Sequence, residues 1–221
     1  GRWARINPTP ELAGWRNLAD RLVGRRVVGQ FPAGDGIVCH ILAPKDGGPD
    51  GAFVLWRESP AGARSFDAYL GEGELRIVDL YGNERPPERL APESSGKRAL
   101  VRIPVTTEPV FVEGVDVQLA RFFSSVRVES EFIETGNERH ERDIVIENPW
   151  SVAISGTVTI TEPGGFESDR AQRDRSWKIS PRVLTFSVGP RATERLPFTI
   201  AFSTVEEAGR KPFVMRVDLA S

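Results

Sequence analysis

The sequence predicts an all-β protein: two tandem antiparallel β-sandwiches preceded by one N-terminal helix. Short segments that alternate apolar and polar residues recur along most of the chain, and that period of two places successive side chains on opposite faces of a strand. Clusters of Gly, Pro and Asp such as Pro44-Lys-Asp-Gly-Gly-Pro-Asp-Gly51 interrupt them, as turns between short strands do. After residue 24 no further helical pattern is read, and parallel strands would need crossover helices to join them.

The helix comes first. Thr9 suits an N-cap, Pro10 suits the first helical position because its missing N–H would lack a partner there anyway, and Gly24 suits a terminator. Between them Leu12, Trp15, Leu18, Ala19 and Leu22 recur at helical spacing, with Glu11, Arg16, Asp20 and Arg21 elsewhere. One amphipathic helix must cover something. Its stripe is expected either on the sheet that follows or on a preceding domain, and Leu12, Trp15 and Leu22 are the candidate interdomain packing residues.

Residues 1–24 therefore form an N-terminal segment and helix, residues 25–117 a first sandwich, and residues 118–221 a second. The first is expected to hold strands near residues 26–31, 36–42, 52–57, 64–69, 74–80, 98–103 and 110–115, with Gly71-Glu-Gly73 as a hairpin turn. A short bridge near residues 118–125 follows. Strands of the second sandwich are expected near residues 126–133, 141–147, 153–161, 176–179, 183–188, 194–202 and 213–219. In the run from Trp177 to Phe202, Leu184, Phe186 and Val188 oppose Val183, Thr185 and Ser187, then Gly189-Pro190 turns the chain into another alternating strand. That pattern predicts an antiparallel hairpin across Gly189-Pro190.

The same run, with Ile144-Val-Ile-Glu-Asn-Pro149 and Ile154-Ser-Gly-Thr-Val-Thr-Ile160 before it, resembles the immunoglobulin-like NEW3 domains, also called alpha-galactosidase-associated, that are attached to bacterial glycosidases. Further upstream stand Val27-Val-Gly-Gln-Phe31, Phe53-Val-Leu-Trp56, Ile77-Val-Asp-Leu-Tyr-Gly-Asn-Glu84 and Glu108-Pro-Val-Phe-Val-Glu-Gly114. In that order behind a helix, they resemble the small β-sandwich that follows the (β/α)8 barrel of several glycoside hydrolase families. The resemblance implies a C-terminal accessory region whose catalytic carboxylates lie on a barrel outside this chain. It also implies a secreted or cell-surface location. The leading Gly1, in place of Met, is what a piece of a longer protein carries.

Charge and composition narrow the partners. Across 221 residues the 29 basic side chains are interspersed with 31 acidic ones, for a net charge of −2. A binder of phosphate backbones gathers a surplus of Lys and Arg on one face, so no nucleic-acid partner is expected. No apolar run approaches the roughly 20 residues that span a bilayer, and no membrane partner is expected either. Basic residues are nearly all Arg, a bias of GC-rich bacterial genomes. The single cysteine, Cys39, lies in a strand-like apolar run and is expected to be a buried, inert thiol.

Catalytic signatures are missing from the sequence. A nucleophilic triad needs a histidine, and the two present are His40 and His140. His40 adjoins Cys39 in one strand, so their side chains point to opposite faces and cannot pair. His140 sits among charges at a strand entrance. There is no Gly-x-Ser-x-Gly elbow, Cys-x-x-Cys pair or His-x-x-x-His pair. Acid pairs such as Glu72 and Glu74, Glu129 and Glu131, or Glu206 and Glu207 have arginine neighbours and read as solvated salt bridges. The loop from Glu167 to Arg175 carries three arginines, which would repel a calcium ion.

No cofactor and no metal are therefore expected, and the chain is expected to have no enzyme activity of its own. The reading is a structural module that packs on and orients a catalytic barrel in cis. The alternative is a carbohydrate-binding or cell-surface interaction module with no enzyme attached. Sugars stack on exposed aromatic rings, and Trp150, in the loop after Pro149, is the possible ligand contact for a polysaccharide partner. Of the remaining tryptophans, Trp56 is expected to cap the first core and Trp177 to be buried in the second.

Overall fold

The computed structural model describes residues 9–34, 36–61, 64–91, 98–130, 132–133, 139–161, 177–202 and 214–220. The chain is all-β, and it divides into two compact units between Ser124 and Ser125. Among the described residues no helix is long and apolar enough to cross a membrane.

In the first unit, helix α1 (Pro10–Leu22) leads into β1 (Arg25–Gln30), β2 (Ile37–Pro44) and β3 (Asp50–Arg57). Then come β4 (Ser65–Ala68), β5 (Arg76–Val78), the two-residue strands β6 (Glu84–Arg85) and β7 (Glu88–Arg89), β8 (Val101–Pro104) and β9 (Val110–Asp116). They form a six-stranded antiparallel sheet of order β1-β2-β3-β9-β5-β6 and a three-stranded sheet of order β4-β8-β7. One core lies between the sheets: Cys39, Ile41, Phe53, Leu55, Ile77, Val110 and Val112 from the large sheet meet Ala68, Val101 and Ile103 from the small one. Intervening residues on the large sheet face the other way and build a second cluster of Leu42, Ala52, Val54, Val78 and Phe111, against which Leu18 of α1 and Trp56 pack. The unit is therefore layered as sheet, sheet and helix.

Two expectations change here. The segment Gly71-Glu-Gly73 is no hairpin turn, because β4 pairs with β8 while β5 pairs with β9 and β6, so it carries the chain from one sheet to the other. The expected bridge near residues 118–125 is a helix, α2 (Val117–Ser125). Val117, Leu119, Ala120 and Phe122 are all buried. The helix has a polar face of Gln118, Arg121 and Ser124, but its nine residues are fewer than the roughly 11–18 over which a helical period is read, which is why it does not stand out in the sequence.

The second unit contains β10 (Arg127–Val128), β11 (His140–Glu147), β12 (Ile154–Thr161), β13 (Trp177–Ser180), β14 (Val183–Val188), β15 (Thr193–Phe202) and β16 (Val214–Leu219). Two antiparallel sheets result, β10-β11-β15-β13 and β14-β12-β16. The two faces of β14 are those the alternation predicts: Leu184, Phe186 and Val188 are buried while Val183, Thr185 and Ser187 are exposed. The expected hairpin is not formed. β14 pairs with β12 and β15 pairs with β11 and β13, so Gly189-Pro190 turns a corner between sheets. An alternating pattern states which face of a strand is buried, and leaves open which strand it pairs with.

Candidate functional site

Helix α1 carries two adjacent faces, and the structure treats them differently. At 3.6 residues per turn, Gly14, Asn17, Leu18 and Arg21 stand at i, i+3, i+4 and i+7 and share one side. This side meets the sheet. A Cβ on Gly14 would lie 3.2 Å from Leu80, so the absent side chain is what lets the helix approach that closely. Asn17 Nδ2 donates to the carbonyls of Asp79 and Leu80, both at 3.1 Å. The expected single stripe is thus split: Leu18 packs on the sheet, while Leu12, Trp15 and Leu22, together with Ala19, form a neighbouring arc that faces outward. Leu12 is 53% exposed, Trp15 69% and Leu22 39%.

Arg21 is the strongest tie of the seated face. Its guanidinium pairs with Glu113 of β9 and, at 2.9 Å, with Glu84 of β6. Glu113, nearly buried, also receives Arg25 Nη2 at 3.1 Å and faces Arg76 Nη2 at 3.8 Å. Arg76 closes the network on Glu84 at 3.3 Å. The hydrogen bond from Arg21, followed by the charge of Arg76, holds the Glu84 carboxyl below its usual range. Three arginines on two glutamates make a structural network, in which each carboxylate has more than one partner.

At the Thr9 end the expected cap is only partly realised. Thr9 is extended as an N-cap should be, yet its side chain makes no capping bond to the helix backbone. Its hydroxyl bonds instead to Glu11 and holds that carboxyl below its usual range. At the other end Gly24 follows the C-cap Val23 with φ of +75°, the left-handed conformation expected of a terminating glycine.

Trp150 is half-buried. Its N–H donates to Asn148 Oδ1 at 2.9 Å, and its carbonyl accepts from the Arg191 N–H at 3.0 Å. The residue is therefore part of the corner that carries β14 into β15. Trp177 is half-buried too, with its ring 4.8 Å from that of Phe202, and the His140 ring stacks on Phe202 at 5.6 Å.

The groups considered for chemistry are dispersed. Cys39 is buried in the first core, and burial pushes its thiol up to about 12. His40 lies on the opposite face, 5.6 Å from the Trp56 ring. Glu72 accepts from the Tyr69 hydroxyl at 2.7 Å, and Glu129 is bonded by Arg195, which holds it below its usual range. Glu131, Glu206, Glu207 and the loop from Glu167 to Arg175 lie outside the described residues. Among the described residues no three His, Cys, Asp or Glu side chains are grouped to hold a metal. An open groove beside β5 and β6 is lined by Glu74, Arg76, Glu84, Arg85 and Arg89, charges of both signs that partly pair with each other.

Sequence reasoning missed the polar half of the helix seat. Asn17 and Arg21 look like ordinary solvent-facing residues, and their partners lie on β6, β9 and the turn after β5. Glu113 was visible only as part of the phrase Glu108 to Gly114. Compared with known proteins, the chain matches no family model and no curated protein.

Proposed function

We propose that this chain is a non-catalytic structural module of a larger glycoside hydrolase-like protein, and that the outer arc of α1 packs against a catalytic barrel in cis and orients it. One observation carries the reading: Leu12, Trp15 and Leu22 remain exposed on a helix whose opposite contacts are already satisfied by its own sheet. Aligned apolar side chains exposed on an anchored helix are characteristic of a surface that another body covers. The resemblance of residues 8–116 to the sandwich behind a hydrolase barrel, and of residues 126–219 to a NEW3 domain, supplies the identity of that body.

The reading frame of the gene gives the first test. A (β/α)8 barrel encoded directly ahead of residue 1 supports the proposal, and a frame that opens at residue 1 ends it. In the barrel-containing protein, Trp15→Ser is expected to increase protease cleavage between barrel and module, while the purified chain shows the same stability with or without the change. Hydrolysis of an aryl glycoside by the purified chain, abolished by a single carboxylate substitution, would contradict the non-catalytic reading.

A further inference from the structure

We propose that α1 is a clasp on the first unit: a helix closed onto the outer face of the six-stranded sheet by the ion pair between Arg21 and Glu113, able to open while the sandwich beneath it stays folded. The proposal stands apart from the accessory-module reading, since it concerns only how the helix is held.

The seat is mostly polar. Gly14 is the one fully buried residue of α1, and Leu18 is its one side chain packed on the buried cluster of the outer face. Among the described residues, the rest of the attachment is the pair of hydrogen bonds from Asn17 and the two ion pairs of Arg21. A helix of 13 residues is marginal by itself, since lengths below about 12–15 residues gain too little from propagation to offset nucleation. Its closed state therefore depends on these few contacts, and elements with few apolar contacts open at lower free energy than the core they cover.

Breaking a buried ion pair is ordinarily expensive because one charge is left without a partner. Here that cost is largely removed. When Arg21 leaves, Glu113 keeps Arg25 at 3.1 Å and Arg76 at 3.8 Å, and Glu84 keeps Arg76 at 3.3 Å. Both carboxylates are satisfied in the open state, while Arg21 moves into water. The link to β1 is short and suited to turning: Val23 ends the helix, and Gly24 has φ of +75° with nothing within 4 Å of where a Cβ would stand. Opening would uncover the apolar strip that includes Leu42, Val54, Val78 and Phe111, all buried in the closed form.

Hydrogen exchange on the whole chain tests this. The amides of α1 are expected to exchange at least tenfold faster than those of β3 and β9, showing opening below the global transition. Arg21→Met keeps the aliphatic stem and removes the charge from the helix side, leaving the sheet untouched; it is expected to speed α1 exchange by a further tenfold or more with β3 and β9 unchanged. Arg21→Lys should recover part of the lost protection. Exchange of α1 in step with β9 in the parent chain, a loss of β9 protection in Arg21→Met equal to that of α1, or α1 rates that ignore Arg21→Met would each overturn the proposal.

Discussion

The side-chain amide of Asn148 donates to the Gly189 carbonyl at 2.8 Å, and through this contact the end of β11 holds the corner at which the chain passes from β14 to β15. Asn148 is 3% exposed, and both polar groups of its side chain and its backbone N–H are used. Nδ2 also reaches the carbonyls of Val152 at 2.8 Å and Val188 at 3.2 Å, Oδ1 accepts from Trp150, and its backbone N–H donates to the Ala192 carbonyl. The side chain thus supplies donors that a two-residue hairpin would have supplied from its own backbone. Arg191, with φ of +55°, completes the turn.

Asn148→Ala should therefore be among the most damaging single changes in the second unit. It removes the donor to the carbonyls of Val152, Val188 and Gly189, of which the contact with Val188 is buried, and a desolvated group left without a partner costs about 1–3 kcal/mol. Urea unfolding is expected to show a lower midpoint with an unchanged slope. An unchanged midpoint would mean that water replaces the side chain and that the corner does not depend on it.

Gly114 offers a sharper contrast between space and conformation. It ends the phrase Glu108 to Gly114 with φ of +79°, and a Cβ placed there would fall 2.3 Å from the Glu74 carbonyl oxygen. Gly24 has nearly the same φ, +75°, but open space around it. Backbone strain of this kind costs on the order of 1–3 kcal/mol, so Gly24→Ala should lie near the bottom of that range and Gly114→Ala above it, because the clash adds to the strain. Thermal melts of the two variants side by side check the order, and equal shifts would show that conformation alone matters.

Much of this fold was legible in the sequence, and the failures have a common cause. The period of two located the long strands β2, β3, β9, β11, β12, β14 and β15, and Thr9-Pro10 with Gly24 marked α1, because those signals are local. Partner choice was not legible. The corner at which β14 crosses to the other sheet is held by Asn148, a residue between β11 and β12 and some forty positions away in the chain, and no local pattern contains that information. The outer arc at Leu12, Trp15 and Leu22 was visible as periodicity, but its separation from the Gly14, Asn17 and Arg21 face needed Leu80, Asp79 and Glu113 in place. The expected strand near residues 126–133 shrank to Arg127–Val128, since an apolar alternation extends only as far as a neighbouring strand pairs with it.

Asp79 connects the turn after β5 to the helix seat and gives a pH prediction. Partial burial raises its carboxyl, but hydrogen bonds from the Asn83 side chain and from the amides of Asn83 and Tyr81 outweigh that and leave it below the ordinary 3.8. A carboxyl lowered in the folded state contributes stability that is fully present above its unfolded value and disappears as pH falls through the folded one. The turn, and with it the Asp79 carbonyl that Asn17 grips, should therefore hold at pH 5 and loosen only below about 3.8. An NMR titration of the Asp79 carboxyl carbon with a midpoint at or above 3.8 would remove the basis for this.

Trp15 and Trp56 face different fates under the same substitution. Trp56 packs against the cluster of Leu42, Val54 and Phe111, and truncating a large buried aromatic costs about 3–5 kcal/mol when its site cannot collapse. Because Trp56 is only half-buried, Trp56→Ala should fall at or somewhat below the lower end of that range. Trp15 is 69% exposed, and surface changes away from caps and buried networks stay within about ±0.5 kcal/mol. Trp15→Ala in the purified chain is thus expected to leave the urea midpoint almost unmoved while Trp56→Ala lowers it clearly. If Trp15→Ala proved as costly as Trp56→Ala, the outer arc would be satisfied within this chain, and no surface on α1 would be left for another domain to cover.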